Sequence, residues 1–283
     1  MKRRIAYALA ILAFAQLACA QNPQPSVAKT TDWTEVKADV PKGKVEAFSI
    51  KDSQYGKDRK IWIYLPDGYS DRSTAGYPLI VSFDGQDYIN DIPAPAVLDN
   101  LIAAKKIEPT LQVFVDNSED RLGDLANHQK FADFVAKDLM PWLRQKYRVT
   151  SESAKLTLLG YSAGGLGAAY VAYRYPGVFG NVLSQSGAFW RGNEGSSSDF
   201  EWLTSQFERS PKLPVRFYLV VGGAETTKNF SGRSMVETSR HLRDVLLARG
   251  YEVGYLEFPG GEHKPESWRA ELADGLIYLL GRH

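Results

Sequence analysis

Cysteine is nearly absent from this sequence: the 283 residues contain one, Cys19. A product cut after Ala20 would have none, which excludes disulfides, a thiol nucleophile and thiolate metal sites. Long hydrophobic runs are equally scarce. The one present, Ile5 to Phe14, is too short to span a bilayer comfortably. An excess of charge of one sign is missing too. Lys and Arg number 34 against 33 Asp and Glu, a net charge of +1. That balance points to no nucleic-acid partner and to no polybasic contact with a membrane. Histidine is rare, with four in the chain, so candidates for a catalytic base can be compared one by one.

The N-terminus carries its own pattern. Lys2, Arg3 and Arg4 precede the apolar run, and Ala18-Cys19-Ala20 supplies the small residues of a cleavage site. Residues 1–20 read as a signal peptide, which implies a periplasmic or secreted product with no transmembrane segment in the mature chain. Cys19 raises the alternative of a lipid anchor. A lipoprotein signal wants a bulky aliphatic residue three before the cysteine, and Gln16 stands there. Residues 21–44 read as a polar arm and residues 45–283 as one domain, a length that buries a substantial core.

Strand-like and helix-like segments alternate through that domain. Lys60 to Leu65, Tyr77 to Phe83, Leu111 to Val115, Lys155 to Leu159, Asn181 to Leu183, Val215 to Val221 and Tyr251 to Phe258 are short aliphatic, β-branched or aromatic runs. Apolar residues at three- and four-residue spacing predict helices over Phe131 to Leu143 and from Met235 to Leu246, the latter closed by Gly250. Ala168 to Tyr175 and Trp268 to Leu280 complete the set. The alternation predicts an α/β fold with a mostly parallel central sheet and helices on both faces.

The sharpest motif is Gly160-Tyr-Ser-Ala-Gly164, between the strand ending at Leu159 and a small-residue helix. A serine on a strand-to-helix turn stands clear of the sheet, and glycines on either side let the turn close. Ser162 is therefore the candidate nucleophile; the plain alternative is a Gly-rich helix start. On such sheets the chain order is serine, acid, histidine. His263, just past the last strand, fits the place of the base. His283 is terminal, His241 lies within a helical stretch beside Arg240, and His128 precedes a helix. Glu225 is the first carboxylate after the penultimate strand and is the expected acid. Glu262, adjacent to His263, and Asp199, before that strand, are the alternatives, as is a dyad with no acid. The oxyanion donors expected are the Ala163 amide with that of Gly85 or Gln86. No metal or cofactor is expected.

Several motifs carry a family resemblance over nearly the whole chain from about Val45. They are Tyr64-Leu-Pro66, Phe83-Asp-Gly85, Arg121-Leu-Gly-Asp124-Leu125, Asp138-Leu-Met-Pro141, Gly160 to Gly165, Ser184-Gln-Ser-Gly187, and His263 followed by Trp268-Arg269. Together they resemble the enterochelin (siderophore) esterase-like family of the α/β-hydrolase fold. The resemblance implies hydrolysis of the ester bonds of a ferric trilactone siderophore of the enterobactin type. Iron would arrive with that small-molecule ester as cargo. Arg121 would pair with the anionic substrate, or with Asp120 or Asp124; Trp190 would stack on it, or pack in the core. Asp124 stands where the family has glutamate, and His128 falls in register with a usual asparagine. The alternatives are a feruloyl or acetyl carbohydrate esterase, a general carboxylesterase, or a non-catalytic binding protein on the same fold.

Overall fold

The computed structural model describes residues 32–281, apart from 118 and 197. The expected leader, residues 21–31 of the expected arm and His283 lie outside the described residues. Among them, eight strands form one sheet: β1 (Lys44–Asp52), β2 (Lys57–Leu65), β3 (Leu79–Ser82), β4 (Leu111–Val115), β5 (Leu156–Tyr161), β6 (Asn181–Gln185), β7 (Arg216–Gly222) and β8 (Val253–Phe258). Their order is β1-β2-β4-β3-β5-β6-β7-β8. The β1–β2 and β2–β4 pairs are antiparallel and every other pair is parallel. The helices are α1 (Gly85–Asn90), α2 (Ala94–Ala103), α3 (Arg121–Leu125), α4 (Gln129–Asp133), α5 (Met140–Lys146), α6 (Ala163–Arg174), α7 (Trp202–Arg209), α8 (Met235–Ala248) and α9 (Pro265–Leu280).

The unbroken apolar runs of β3 to β7 have a simple cause. Successive side chains point to opposite faces, and both faces are covered. Val81, Leu158, Val182 and Leu219 join a core with Leu166 of α6, Phe207 of α7 and Leu242 of α8. Ile80, Leu159, Leu183 and Val220 join a second core with Leu98 of α2 and Leu272 and Leu276 of α9. This is the expected α/β fold with a mostly parallel sheet.

Three features differ from the sequence expectation, each for a physical reason. Strand β1 was not expected; it lies at the sheet edge, and most of its residues are at least partly exposed, so it has no clean alternation. The single helix expected over Phe131 to Leu143 is divided into α4, a π-helical stretch (Phe134–Leu139) and α5. Pro141 has no N–H to continue an α-helical ladder across that point, and a widened turn accommodates it. The segment after Trp190, where no helix was expected, contains α7, whose buried face rests on only two large apolar residues, Leu203 and Phe207.

One buried ionic cluster ties the β1–β2 hairpin to the body of the domain. Arg59 pairs with Asp52 at 2.7 Å and with Asp124 at 2.6 Å, all three side chains being almost fully excluded from solvent. Removing either carboxylate would leave a buried guanidinium short of a partner, which is strongly destabilising. Asp124 of the family motif is thus part of a structural cluster in this chain.

Candidate active site

Strand β5 runs into α6 through Ser162, whose φ of 53° and ψ of −120° are strained for any residue with a Cβ. The surroundings hold it there. Its amide donates to the Gln185 carbonyl at 2.9 Å, and its own carbonyl accepts from Ala188 at 2.9 Å and Leu166 at 3.2 Å. Both flanking glycines are sterically required. A Cβ on Gly160 would lie 2.4 Å from the Gly164 carbonyl, and one on Gly164 would lie 2.6 Å from Asp84 Oδ2. The turn therefore closes only with glycine at both places, and it lifts the Ser162 side chain to the sheet's C-terminal edge.

The loops after β7 and β8 are zipped together beside this turn. Ala224 N–H donates to the Gly261 carbonyl at 2.9 Å and Gly223 N–H to the Phe258 carbonyl at 2.8 Å. That zipper brings Glu225 against His263, with Nδ1 of the imidazole 2.6 Å from Oε2. The second oxygen, Oε1, accepts the Gly222 N–H at 2.9 Å and the Ser186 hydroxyl. Ser186 Oγ in turn accepts the Trp268 indole N–H at 3.0 Å. Trp268 also meets His263 edge-on, with ring centroids 5.0 Å apart, and stacks on Tyr161 at 4.1 Å. The histidine is thus held by a carboxylate on one side and an aromatic wall on another. Glu262, the sequence-adjacent alternative, is exposed and pairs with Lys264 instead. Asp199 is exposed in the segment before α7.

A pocket of about 420 Å³ opens over these groups, lined by Ser162, Ala188, Trp190, Arg191, Glu225 and His263 among others. Among the described residues no hydrogen bond joins Ser162 to His263; in such sites this contact tightens when substrate is bound. An anionic intermediate would need donors beside the serine. Ala163 opens α6, while Gly85 and Gln86 open α1, whose preceding residue Asp84 touches the serine turn at Gly164. The turn after β3 therefore reaches the same corner as Ala163.

The remaining expected residues divide. Trp190 lines the pocket, half-buried, with the exposed Phe230 edge-on at 6.0 Å. Arg121 turns to a carboxylate that its own motif does not contain. Its guanidinium grips the buried Asp84 through Nε and, at 2.7 Å, Nη2, and lies over the Tyr161 ring. Burial pushes the Asp84 carboxyl above its usual range, against the pull of Arg121 and Asn117. His128 does not line the Ser162 pocket. It lines a larger cavity of about 810 Å³ with Arg59, Asp116 and Lys130. That cavity mixes both signs of charge, and neither Ser162 nor His263 lines it, so the chemistry points to the smaller one. His241 makes an unexpected contact with Glu201. Among the described residues there is no cluster of three or more His, Cys, Asp or Glu able to hold a metal ion. Sequence reasoning overlooked Ser186, Asp84 and Arg191 as site residues. The first two sit inside motifs that were visible, Ser184 to Gly187 and Phe83 to Gly85; Arg191 had no local signal.

The family described as "Putative esterase" matches residues 53–279. The chain belongs to this esterase family. An iron(III) enterobactin esterase of Dickeya dadantii (strain 3937) is 29% identical over 242 residues, covering 81% of this chain and 53% of that protein. An iron(III) salmochelin esterase of Escherichia coli O6:H1 is 29% identical over 237 residues, covering 80% and 55%. The chain thus spans about half the length of these curated relatives. The enterobactin esterase of Shigella flexneri has a similar fold, with a TM-score of 0.74 at 24% identity over 88% of this chain and 61% of that one. A ferulic acid esterase from Anaeromyces mucronatus shares the fold at a TM-score of 0.69 and 17% identity, covering 88% and 95%. These solved structures share the fold at low identity, and the chemistry has to be read from the site.

Proposed function

We propose that this member of the esterase family is a serine esterase acting on ferric trilactone siderophores. The observation that carries the reading is a serine on a strained strand-to-helix turn, opening into one pocket with a histidine held by a buried glutamate. In the proposed mechanism Nδ1–H of His263 donates to Glu225, which leaves the Nε2 lone pair for the proton of Ser162. Ser162 Oγ attacks the ester carbonyl carbon, and its proton passes to Nε2. The tetrahedral oxyanion takes hydrogen bonds from the Ala163 amide and that of Gly85 or Gln86. Collapse expels the alcohol, which takes the proton from Nε2, and leaves an acyl-enzyme. Water then enters by the same steps and frees the acid and Ser162.

The siderophore part of the reading is supported by the two curated relatives, whose names are an enterobactin and a salmochelin esterase. It is further supported by the aromatic rim of Trp190 and Phe230 at the pocket mouth, a surface suited to flat aromatic arms. The test is a hydrolysis panel of a ferric tricatecholate trilactone, a feruloyl arabinose ester and p-nitrophenyl butyrate, with Ser162→Ala as control. The trilactone should be opened with the highest kcat/KM. Faster release of ferulate would transfer the reading to carbohydrate esters, and turnover of the p-nitrophenyl ester alone would leave only a general carboxylesterase. Export is part of the same proposal, resting on residues 1–20; no helix among the described residues is long and apolar enough to cross a membrane. N-terminal sequencing of the protein recovered outside the cytoplasm should begin at Gln21.

A further inference from the structure

Six arginines among the described residues are buried or half-buried: Arg59, Arg121, Arg191, Arg216, Arg243 and Arg269. Five have defined partners for the guanidinium. Arg59 has Asp52 and Asp124, Arg121 has Asp84, Arg216 has Glu252, Arg243 has Asp244, and Arg269 has the Asp91 carbonyl. Arg191 has none. No ion pair or side-chain hydrogen bond engages it, and its Nε is buried with no acceptor. Its one contact of note is the face of Trp190, 4.5 Å from the ring centroid. Burial, with a smaller push from the like charge of Arg121, lowers its pKa from the ordinary arginine value. A guanidinium stays charged all the same, and a half-buried one with open donors is costly unless something pairs with it.

The location gives that cost a use. Arg191 lines the pocket of Ser162 and His263. A short backbone relay fixes it relative to the nucleophile: Ala188 N–H donates to the Ser162 carbonyl at 2.9 Å, and Arg191 N–H donates to the Ala188 carbonyl at 3.1 Å. The carboxylates lining the same pocket are both occupied, Glu225 by His263 and Glu262 by Lys264. The pocket therefore holds a positive group whose planar donors fit an oxygen anion.

On these grounds we infer that Arg191 binds an anionic oxygen group on the acyl part of the ester, so that the pocket selects acidic over neutral acyl groups. The inference rests on the esterase reading above and deepens it. The acyl carbonyl sits at Ser162 while a carboxylate or an ionised phenol of the same acyl group pairs with Arg191. A pocket of about 420 Å³ admits one compact acyl group at a time.

The test compares two esters of nearly equal length, p-nitrophenyl butyrate and mono-p-nitrophenyl glutarate. Wild-type protein should favour the glutarate in kcat/KM, chiefly through KM. Arg191→Gln should lower the glutarate-to-butyrate ratio by about 10- to 100-fold, and Arg191→Lys should recover part of it. A wild-type preference for butyrate, or an unchanged ratio in Arg191→Gln, would overturn the inference. If neither ester is cut, calorimetry decides the inference alone, and the panel with the ferric trilactone decides the esterase reading separately. Monomethyl glutarate and 2-hydroxybenzamide are then titrated onto Ser162→Ala with and without Arg191→Gln, which separates carboxylate from phenolate recognition. Binding of either probe that is lost with Arg191→Gln upholds the inference; binding that is equal in both proteins, or absent from both, overturns it.

Discussion

His263 and His241 make the same contact in two regions of the molecule. Each turns Nδ1 toward a glutamate that is largely buried, and each leaves about the same share of its side chain exposed, 42% and 43%. Their surroundings differ. Glu225 gives its second oxygen to neutral donors, the Ser186 hydroxyl and the Gly222 amide, and among the described residues no lysine or arginine pairs with it. Glu201 is shared with a permanent cation, Arg233 at 3.1 Å. His263 opens into a pocket with Ser162, whereas His241 stands on the outer side of α8 and pins it to the segment before α7. A histidine–glutamate pair is therefore no signature of catalysis by itself. On the proposed reading, a nucleophile on a fixed turn and an otherwise uncommitted carboxylate give one pair its chemistry, and their absence makes the other a clasp.

The largest expected effects test the first half of that contrast. Ser162→Ala and His263→Ala should each lower kcat/KM by at least about 10³-fold on any ester the protein cleaves, with the thermal midpoint nearly unchanged. Glu225→Gln should cost less than either, because the imidazole keeps its place but loses the charge that stabilises it when protonated. If His263→Ala retained wild-type turnover, His263 would be no more than another clasp.

These roles were unevenly legible in the amino-acid order. Gly160 to Gly164 announced the serine turn because steric rules restrict what can flank it, and the structure gives the clashes that enforce those rules. The central parallel strands were equally plain, since burial on both faces leaves unbroken apolar runs. Strand β1 was not, because an exposed edge imposes no pattern. The partners of charged side chains were least legible. Arg121 was expected near Asp120, Asp124 or substrate, and its contact with Asp84, 37 positions away, was not foreseen. Glu201 meets His241 across 40 positions. Such contacts are set by how strands and helices stack, and no spacing rule within one segment reports them.

Smaller effects should separate the layers around Glu225. Ser186→Ala removes a donor to Oε1 and the acceptor of the Trp268 indole, so kcat should fall about 10-fold with KM little changed. A change confined to KM would place Ser186 in substrate binding. Glu271 shows what burial does to a glutamate that has no cation. It lies in α9 with Oε2 unpartnered, and burial, with Asp274 adding to it, pushes its carboxyl up to about 7 from 4.5. A folded-state pKa above the unfolded one gives stability that is complete below about 4.5 and lost as pH rises through about 7. Glu271→Gln should therefore leave the thermal midpoint unchanged at pH 4 and raise it by about 2–6 °C at pH 8. Equal midpoints for the two proteins at pH 8 would mean that Glu271 finds a partner in solution.

The smallest expected effect bears most directly on the comparison. His241→Ala deletes one of two basic side chains on Glu201 and leaves Arg233 in place. Exposed ion pairs contribute little, so the thermal midpoint should fall by no more than about 3 °C. Ester turnover should stay within about twofold of wild type, since Glu201 holds the loop end beside Trp190 through its backbone N–H to the Trp190 carbonyl at 3.2 Å as well. A loss of activity approaching that of His263→Ala would break the contrast between the two pairs. It would mean that the clasp on α8 sets the position of Trp190 and Arg191 over Ser162, so that the outer pair acts on the chemistry through the pocket wall.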